Sequence, residues 1–239
     1  MLNATVTIEA PQNEATLSYG PGSPERRRIS AALSELRGQE MEIPLIIGGR
    51  EVRTGRTAAC TVPHDHRHRL AVYHLAGPKE TAMAVEAARD AAAAWTSMAW
   101  ADRLAIFLKA ADLIAGSRRM RINAATMLGQ GKNVYQAEIE AACESADFLR
   151  FYCWNATRLF GLQPISSAGV WNQMEYRPLE GFVFAISPFN FTALGVNLAA
   201  APALLGNTVI WKPASSAVYS AYHLMRIFHE AGLPDGVIN

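Results

Sequence analysis

The feature that most constrains the fold is a change of hydrophobic pattern in the last quarter of the chain. Residues 182–186 are a continuous apolar run, and residues 208–211 (TVIW) form a second, mostly apolar segment; a segment of helical spacing over about 192–205 separates them. Apolar runs without alternation are typical of parallel strands that are buried on both faces. A second helical segment, 216–231, leads to a third short run at 237–239. The pattern therefore predicts an α/β fold with a doubly wound, Rossmann-like parallel sheet and right-handed crossovers.

The third apolar run is short and ends at Asn239, the last residue of the sequence. A parallel sheet normally needs neighbouring strands and covered faces, because open edges favour aggregation. The sequence after the third run has nothing left that could supply this cover. We therefore expect an incomplete sheet, and we expect the chain to be the N-terminal part of a longer protein.

The rest of the chain is predicted to be mainly helical. The sequence divides into four predicted regions: a flexible polar arm (1–23), helices with short strands (24–161), a protruding β-ribbon (162–180) and the truncated sheet (181–239). Ser23 and Pro24 suit the N-cap and the first turn of the opening helix. The pair Gly48-Gly49, between two short β-type segments, predicts a hairpin with a glycine turn.

Composition excludes several classes of function. Only 18% of the residues are charged and the formal net charge is +1, so we expect neither a nucleic-acid nor a membrane partner. The longest apolar stretch, 181–205, contains two prolines and two asparagines, which is not typical of a membrane span. Three scattered cysteines predict a reducing compartment. With no secretory or transit pattern at the N-terminus, we expect a cytoplasmic location; a mitochondrial matrix location would require a different N-terminus.

Asn190 is the first candidate for chemistry. It follows the first predicted core strand in the segment Ser187-Pro188-Phe189-Asn190-Phe191. Open α/β sheets bind their ligands at the carboxyl ends of their strands. A side-chain amide held there by a proline turn could donate N–H to an oxyanion. Alternatively, Asn190 is an ordinary turn residue or a helix N-cap.

Lys212 is the second candidate, because it ends the second core strand in Trp211-Lys212-Pro213. Its ammonium could reach ribose hydroxyls or phosphates in the same crevice, or it could be a solvated lysine at a strand end. Ser215 or Ser216 could cap the following helix, whose N-terminus favours a phosphate.

Two other motifs do not support a site. Gly129-Gln130-Gly131-Lys132 lacks the upstream glycine and the following Ser or Thr of a P-loop. The histidines at 64, 66 and 68 alternate, but the arginines beside them disfavour a cation, so we predict no metal site.

Several motifs together resemble the aldehyde dehydrogenase superfamily, and within it the Δ1-pyrroline-5-carboxylate (glutamate γ-semialdehyde) dehydrogenases of proline catabolism. The resemblance covers nearly the whole chain after about residue 20. The motifs that carry it are residues 186–191 (ISPFNF), 201–207 (APALLGN), 211–213 (WKP), 101–103 (ADR), 107–112 (FLKAAD), 129–132 (GQGK) and 136–142 (QAEIEAA).

The resemblance implies oxidation of L-glutamate γ-semialdehyde to L-glutamate, with hydride transfer to NAD. Asn190 matches the oxyanion-hole amide of the family. The positions that match the cofactor site are Ile186, Ser187, Pro188, Phe189, Lys212 and Ser215. Phe191 and Glu138 match substrate-pocket positions, and a carboxylate could pair with the substrate ammonium; alternatively, Glu138 lies on a solvated helix face with Glu140 and Glu144. Residues 162–180 resemble part of the family's oligomerisation flap, which implies a homo-oligomer.

Two departures from the family pattern matter. Many members place a glutamate that repels a 2′-phosphate where this chain has Ser215, so the choice between NAD and NADP stays open. The family's nucleophilic cysteine, general-base glutamate and catalytic domain have no match in this sequence. Aldehyde oxidation through a thiohemiacetal needs a thiolate, so we expect this chain alone to be inactive. The alternative is a non-catalytic binding or assembly module that docks on full-length or complementary subunits.

Overall fold

The computed structural model describes residues 6–239, so the first five residues of the predicted arm lie outside the described part. Its helices are α1 (Pro24–Arg37), α2 (Pro78–Ser97), α3 (Trp100–Ala115), α4 (Arg119–Gln130), α5 (Val134–Ala137), α6 (Ser145–Phe160), α7 (Thr192–Leu204) and α8 (Val218–Ala231). Its strands are β1 (Met41–Ile43), β2 (Leu45–Ile47), β3 (Arg50–Val52), β4 (Thr57–Val62), β5 (Asp65–His74), β6 (Phe182–Ser187) and β7 (Thr208–Pro213).

The predicted parallel sheet is confirmed. Strands β6 and β7 pair in parallel, with Phe182 opposite Thr208 and Ser187 opposite Pro213. Val209 and Ile238 form a parallel bridge, so the last residues of the chain add to the other side of β7. Helix α7 connects β6 to β7, and α8 leads to the residues that form this bridge. The chain therefore has the mixed α/β architecture that the change of pattern predicts.

Helix α7 lies between the sheet and the other helices, which explains its composition. It contains no charged residue and is buried along most of its length. The indole N–H of Trp95, on α2, donates to the carbonyl of Ala203 at 2.9 Å. Phe107 on α3 packs edge to face against Phe228 on α8. These buried aromatic contacts join α2 and α3 to α7 and α8, the two helices that follow the strands of the parallel sheet.

The N-terminal strands form two small sheets. Strand β5 lies between β1, which is parallel to it, and β4, which is antiparallel. Strands β2 and β3 form the predicted hairpin, in which Gly48 and Gly49 have φ values of 56° and 73°. Two successive left-handed residues suit a two-residue hairpin turn, which is why glycine occupies both positions.

The segment before α1 differs from the predicted flexible arm. Residues 13–19 have no regular secondary structure, but they are hydrogen-bonded to the helices. The Glu14 carboxylate bridges Arg119 and Arg150, at 2.7 and 2.6 Å. The polar composition that suggests mobility in fact supplies partners for charges on α4 and α6, so we call residues 13–19 the N-terminal clasp.

The segment 162–180 also differs from its prediction, because it contains no β-strand. Side chains hold its two arms together: Gln163 bonds the backbone of Met174, and Ser166 accepts from the backbone N–H of Asn172. Its apolar residues face outward, with Ile165 92% and Trp171 83% exposed. Pairing through amide and hydroxyl side chains replaces the backbone ladder that a β-ribbon requires.

Candidate functional site

The register of the parallel sheet brings the two candidate segments together. Ile186 on β6 lies opposite Lys212 on β7 at the carboxyl edge of the sheet. The turn that follows β6 exposes Pro188, Phe189 and Asn190. The residues predicted from two separate motifs therefore meet at one edge, where open α/β sheets bind ligands.

Ser187 fixes this turn from the inside. It is 4% exposed, and its hydroxyl accepts a hydrogen bond from the indole N–H of Trp211 at 2.9 Å. Its carbonyl accepts from the backbone N–H of Ala214 at 3.1 Å. The side chain of Ser187 thus joins the ends of β6 and β7, and only its neighbours present exposed surface to the crevice.

Asn190 keeps its side-chain amide free for a ligand. Its side chain is exposed and makes no hydrogen bond within residues 6–239. Helix α7 begins at Thr192, the N-cap position is Phe191, and no side chain of that residue caps the helix. The N-cap alternative for Asn190 therefore does not hold, whereas an amide available to a substrate oxygen is compatible with the structure.

Lys212 and Ser215 line a cavity of about 430 Å³ beside the end of β7. Val218 and Tyr222 on α8 and Ile43 on β1 contribute apolar walls. A mostly apolar cavity of this size with a few polar groups at its mouth is typical of small-molecule sites. Ser215 and Ser216 lie in a short 3₁₀ turn, and neither side chain caps α8, so the predicted serine cap is not observed.

A π-helical turn, Glu138–Glu144, lies between α5 and α6. This turn buries two carboxylates that lie two residues apart: Glu138 is 0% and Glu140 is 2% exposed. The alternative of a solvated face is therefore wrong for both residues. Charged groups this deeply buried require partners, and the two side chains find them in different places.

Glu138 is held by groups of the chain itself. Its carboxylate accepts hydrogen bonds from Tyr19 Oη at 2.6 Å, from the backbone N–H of Leu17 at 2.7 Å and from Asn123 Nδ2 at 2.7 Å. Arg119 adds a buried ion pair. Burial by itself raises the pKa of Glu138, but the hydrogen bonds from Arg119 and Tyr19 outweigh it and lower that pKa. Because its acceptor capacity is filled, this geometry argues against the expected role of Glu138 in binding a substrate ammonium.

Phe191, at the start of α7, lies beside a cation whose role its position in the sequence does not reveal. The ammonium of Lys132 lies 4.0 Å from the centroid of the Phe191 ring. The same ammonium pairs with Glu140 at 2.7 Å. Burial raises the pKa of Glu140 even though Lys132 opposes the shift. The signal available in the sequence was the Gly-Gln-Gly-Lys motif, which marked the resemblance without indicating which helix it would contact.

The three cysteines are poor nucleophiles. All three are buried and unpaired. Burial raises the pKa of the Cys60 and Cys143 thiols to about 11 and that of Cys153 to about 12. At neutral pH these side chains are thiols, and the thiolate is the reactive form.

Residues 6–239 contain no group of three His, Cys, Asp or Glu side chains placed to hold a metal ion. Within the same residues, no helix has both the length and the apolar character needed to cross a membrane.

Comparison with known proteins identifies the family. A model described as the aldehyde dehydrogenase family matches residues 51–239. The chain therefore belongs to the aldehyde dehydrogenase family, as its motifs suggest.

Its relatives narrow the similarity to one kind of enzyme. The Δ1-pyrroline-5-carboxylate dehydrogenase of Agaricus bisporus is 53% identical over 237 residues, which cover 98% of this chain and 43% of that protein. The human Δ1-pyrroline-5-carboxylate dehydrogenase, named as mitochondrial, is 49% identical over 226 residues, which cover 95% of this chain and 40% of that protein. The chain spans less than half the length of these relatives.

Solved structures give the same result. The Mycobacterium tuberculosis Δ-pyrroline-5-carboxylate dehydrogenase bound with NAD is 47% identical and superposes with a TM-score of 0.98, covering 100% of this chain and 45% of that chain. A 1-pyrroline-5-carboxylate dehydrogenase from Thermus with bound NAD is 32% identical, with a TM-score of 0.87, and covers 98% of this chain and 45% of that chain. The fold of residues 6–239 is thus the fold of the N-terminal portion of these enzymes.

Proposed function

We propose that this chain is the N-terminal part of an NAD-dependent dehydrogenase that oxidises L-glutamate γ-semialdehyde to L-glutamate. The observation that carries the proposal is the pairing of Ile186 with Lys212, which brings Lys212 and the turn that carries Asn190 to one edge of the parallel sheet. The relatives of this chain are Δ1-pyrroline-5-carboxylate dehydrogenases. The small-molecule aldehyde is the substrate of this proposal, and a homo-oligomer is the proposed assembly of the longer protein.

The residues at this edge fit a dinucleotide. Lys212 is exposed at the mouth of the 430 Å³ cavity and can bond ribose hydroxyls, while Ser215 lies beside it. Ile186, Pro188 and Phe189 supply exposed apolar surface on the adjacent strand end. Ser187 contributes by holding the turn rather than by facing the ligand. When bound, NAD supplies the hydride acceptor; because Ser215 carries no charge to repel a 2′-phosphate, NADP is also compatible with this site.

Asn190 is the proposed oxyanion donor. Its amide N–H can bond the aldehyde oxygen as negative charge develops there, and a donor preset in this way is effective because it needs no reorganisation during the reaction. Phe191 follows it at the start of α7 and is partly exposed, so we assign it to the wall of the substrate pocket.

The isolated chain is proposed to be inactive. Thiohemiacetal formation needs a thiolate, and burial keeps all three thiols of this chain protonated at neutral pH. A second candidate function, an assembly module, is favoured by the exposed apolar side chains of residues 162–180, such as Ile165 and Trp171.

The deciding experiment combines an intact mass with an assay. The protein is purified from its native source, weighed, and tested for pyrroline-5-carboxylate-dependent reduction of NAD beside the 239-residue chain. We expect a mass well above 26.0 kDa, activity in the native protein and none in the chain alone. A native protein of larger mass without this activity would overturn the proposed reaction. A native mass of 26.0 kDa would instead favour the assembly module.

Asn190→Ala tests the oxyanion role in the native-length protein. Loss of one such donor is expected to lower kcat by about 10² to 10³. Asn155→Ala is the matched control, because Asn155 is exposed on α6 away from the crevice. Equal kcat values for the two variants would remove Asn190 from the mechanism.

A further inference from the structure

The Gly-Gln-Gly-Lys motif, residues 129–132, lies directly against the first turn of α7. Gln130, the last residue of α4, donates from Nε2 to the hydroxyls of Thr192 at 2.7 Å and Ser220 at 2.9 Å. Thr126, one turn earlier on α4, shares a buried hydrogen bond of 2.8 Å with the same Thr192 hydroxyl. Two residues of α4 thus hold the residue that lies two positions after Asn190.

The second glycine of the motif, Gly131, turns the chain so that Lys132 also reaches the first turn of α7. Gly131 ends α4 in the left-handed conformation, with φ 66° and ψ 29°. The following Lys132 places its ammonium 2.7 Å from Glu140 and 4.0 Å from the centre of the Phe191 ring. A cation over an aromatic face is attracted to it, and more strongly where water is excluded. Because Glu140 fixes the Lys132 ammonium, that ammonium in turn holds one face of the Phe191 ring.

Glu140 completes the arrangement by capping α7. Its second carboxylate oxygen accepts from the backbone N–H of Ala193 at 3.2 Å. The N-cap residue of α7, Phe191, has no side-chain oxygen to satisfy these first amides. A carboxylate at a helix N-terminus is stabilised by the helix dipole, and Lys132 neutralises the remaining charge. The buried carboxylate therefore joins the π-helical turn, the motif and α7.

From these contacts we infer that Gln130, Lys132 and Glu140 are positioning residues for the proposed oxyanion donor: together they fix Thr192, Phe191 and the start of α7, and so set the direction of the Asn190 amide. This inference rests on the proposed function, because it assigns Asn190 a donor role. Glu138, two residues away, makes none of these contacts and supports the N-terminal clasp instead.

Amide hydrogen exchange in the native-length protein tests the positioning directly. The variants are Lys132→Met and Glu140→Gln, with the exposed-residue controls Lys109→Met on α3 and Glu86→Gln on α2. We expect the amides of Thr192 and Ala193 to exchange at least about tenfold faster in the first two variants, and to be unchanged in the controls. Lys132→Arg, which keeps the charge, is expected to restore slow exchange.

Two outcomes would overturn the inference. One is unchanged exchange at Thr192 and Ala193. The other is an equal acceleration along the whole chain, since that would mean that the pair only stabilises the fold. Because Glu140→Gln leaves no unpaired buried carboxylate, it gives a readable result even if Lys132→Met folds poorly.

A second readout separates positioning from general support in the native-length protein. Lys132→Met is expected to lower kcat about tenfold or more with the KM for NAD unchanged. In an Asn190→Ala background the same change is expected to cost little further, because the donor that it positions is gone. Full additivity would contradict the inference. Failure of the proposed reaction itself would appear as absent activity in the unaltered native protein, while hydrogen exchange would still decide whether the pair fixes α7.

Discussion

At the scale of single residues, two neighbouring carboxylates of one π-helical turn have pKa values that shift in opposite directions. Burial raises the pKa of Glu140, and Lys132 only partly compensates. Glu138 is also buried, but hydrogen bonds from Arg119 and Tyr19 lower its pKa. The number and charge of the partners, and not burial alone, decide the direction of each shift.

The raised pKa of Glu140 predicts how folding stability depends on pH. A carboxyl whose folded pKa lies above its unfolded value contributes most to stability below the unfolded pKa, and the contribution is lost as pH rises through the folded pKa. In Lys132→Met the folded pKa of Glu140 rises further, so we expect stability to fall more steeply as pH rises above about 4.5 than in the unaltered chain. Urea unfolding across this pH range measures the slope of stability against pH, and Lys109→Met is the control. A slope identical to that control would contradict the prediction.

His223 predicts the opposite dependence. Burial, with a smaller effect from Arg121, lowers the pKa of His223 to about 3, and its Nε2 has no partner within the described residues. In the unfolded chain His223 therefore binds a proton near pH 6.5, whereas in the folded chain it does so only near pH 3. Stability is consequently lost as pH falls from about 6.5 towards 3. We expect His223→Leu to reduce this acid sensitivity, and the exposed His66→Leu to leave it unchanged, in urea titrations at pH 7 and pH 4.5.

At the scale of secondary-structure elements, the contact between α7 and β7 sets the geometry of the crevice. Gly195 on α7 lies so close to Trp211 on β7 that a Cβ atom there would be 2.8 Å from the indole ring. The same indole holds the hydroxyl of Ser187. The close approach of helix and strand therefore fixes the turn that carries Asn190.

Gly195→Ala is expected to destabilise the fold by about 1 to 3 kcal/mol, because the added methyl group overpacks a rigid ring. Gly129→Ala is the matched control: it is also a helical glycine, but its added Cβ would meet Tyr219 at an ordinary 3.4 Å. There we expect a near-neutral or slightly stabilising effect, since alanine favours the helix. Thermal unfolding of both variants measures the difference; equal losses would contradict the proposed close contact.

Elements with a strong local pattern could be predicted from the sequence, whereas those held by distant side chains could not. The parallel strands β6 and β7 and the β2–β3 hairpin follow from apolar runs and paired glycines. The π-helical turn does not, because helical spacing is similar with or without one widened turn. The segment 162–180 has ribbon-like composition, but its arms are joined by side chains. Asn190 and Lys212 were predicted from position, whereas the role of Lys132 depends on a fold-level contact with α7.

At the scale of the whole molecule, the charged groups around the N-terminal clasp are paired, whereas apolar side chains of the sheet are exposed. The N-terminal clasp, residues 13–19, is tied to α4, α6 and the π-helical turn through Arg119, Arg150 and Glu138. On the sheet, by contrast, Phe184 and Ile186 are more than half exposed. Exposed apolar groups of this size mark surfaces that associate. The sheet is thus the part of the described chain at which we expect association, and the clasp is not.

Removing residues 1–22 tests the clasp. The deletion takes away Glu14 and Tyr19 and leaves Arg119 and Glu138 with fewer partners, so we expect a loss of about 3 kcal/mol in unfolding free energy. Removing only residues 1–5 deletes none of the contacts described for residues 13–19 and serves as the control. Chemical denaturation measures both; a deletion as stable as the control would show that the clasp contributes nothing.

The clasp also has a consequence for the order of events during synthesis on the ribosome. Asn13 meets Asp147, Glu14 meets Arg150 and Tyr19 meets Glu138, so each contact spans well over one hundred residues. Contacts of such high sequence separation form late, because the entropy of closing a long loop must be overcome first. Residues 13–19 therefore wait for α6 to leave the exit tunnel, and they are among the last parts of the helical layer to reach their final place.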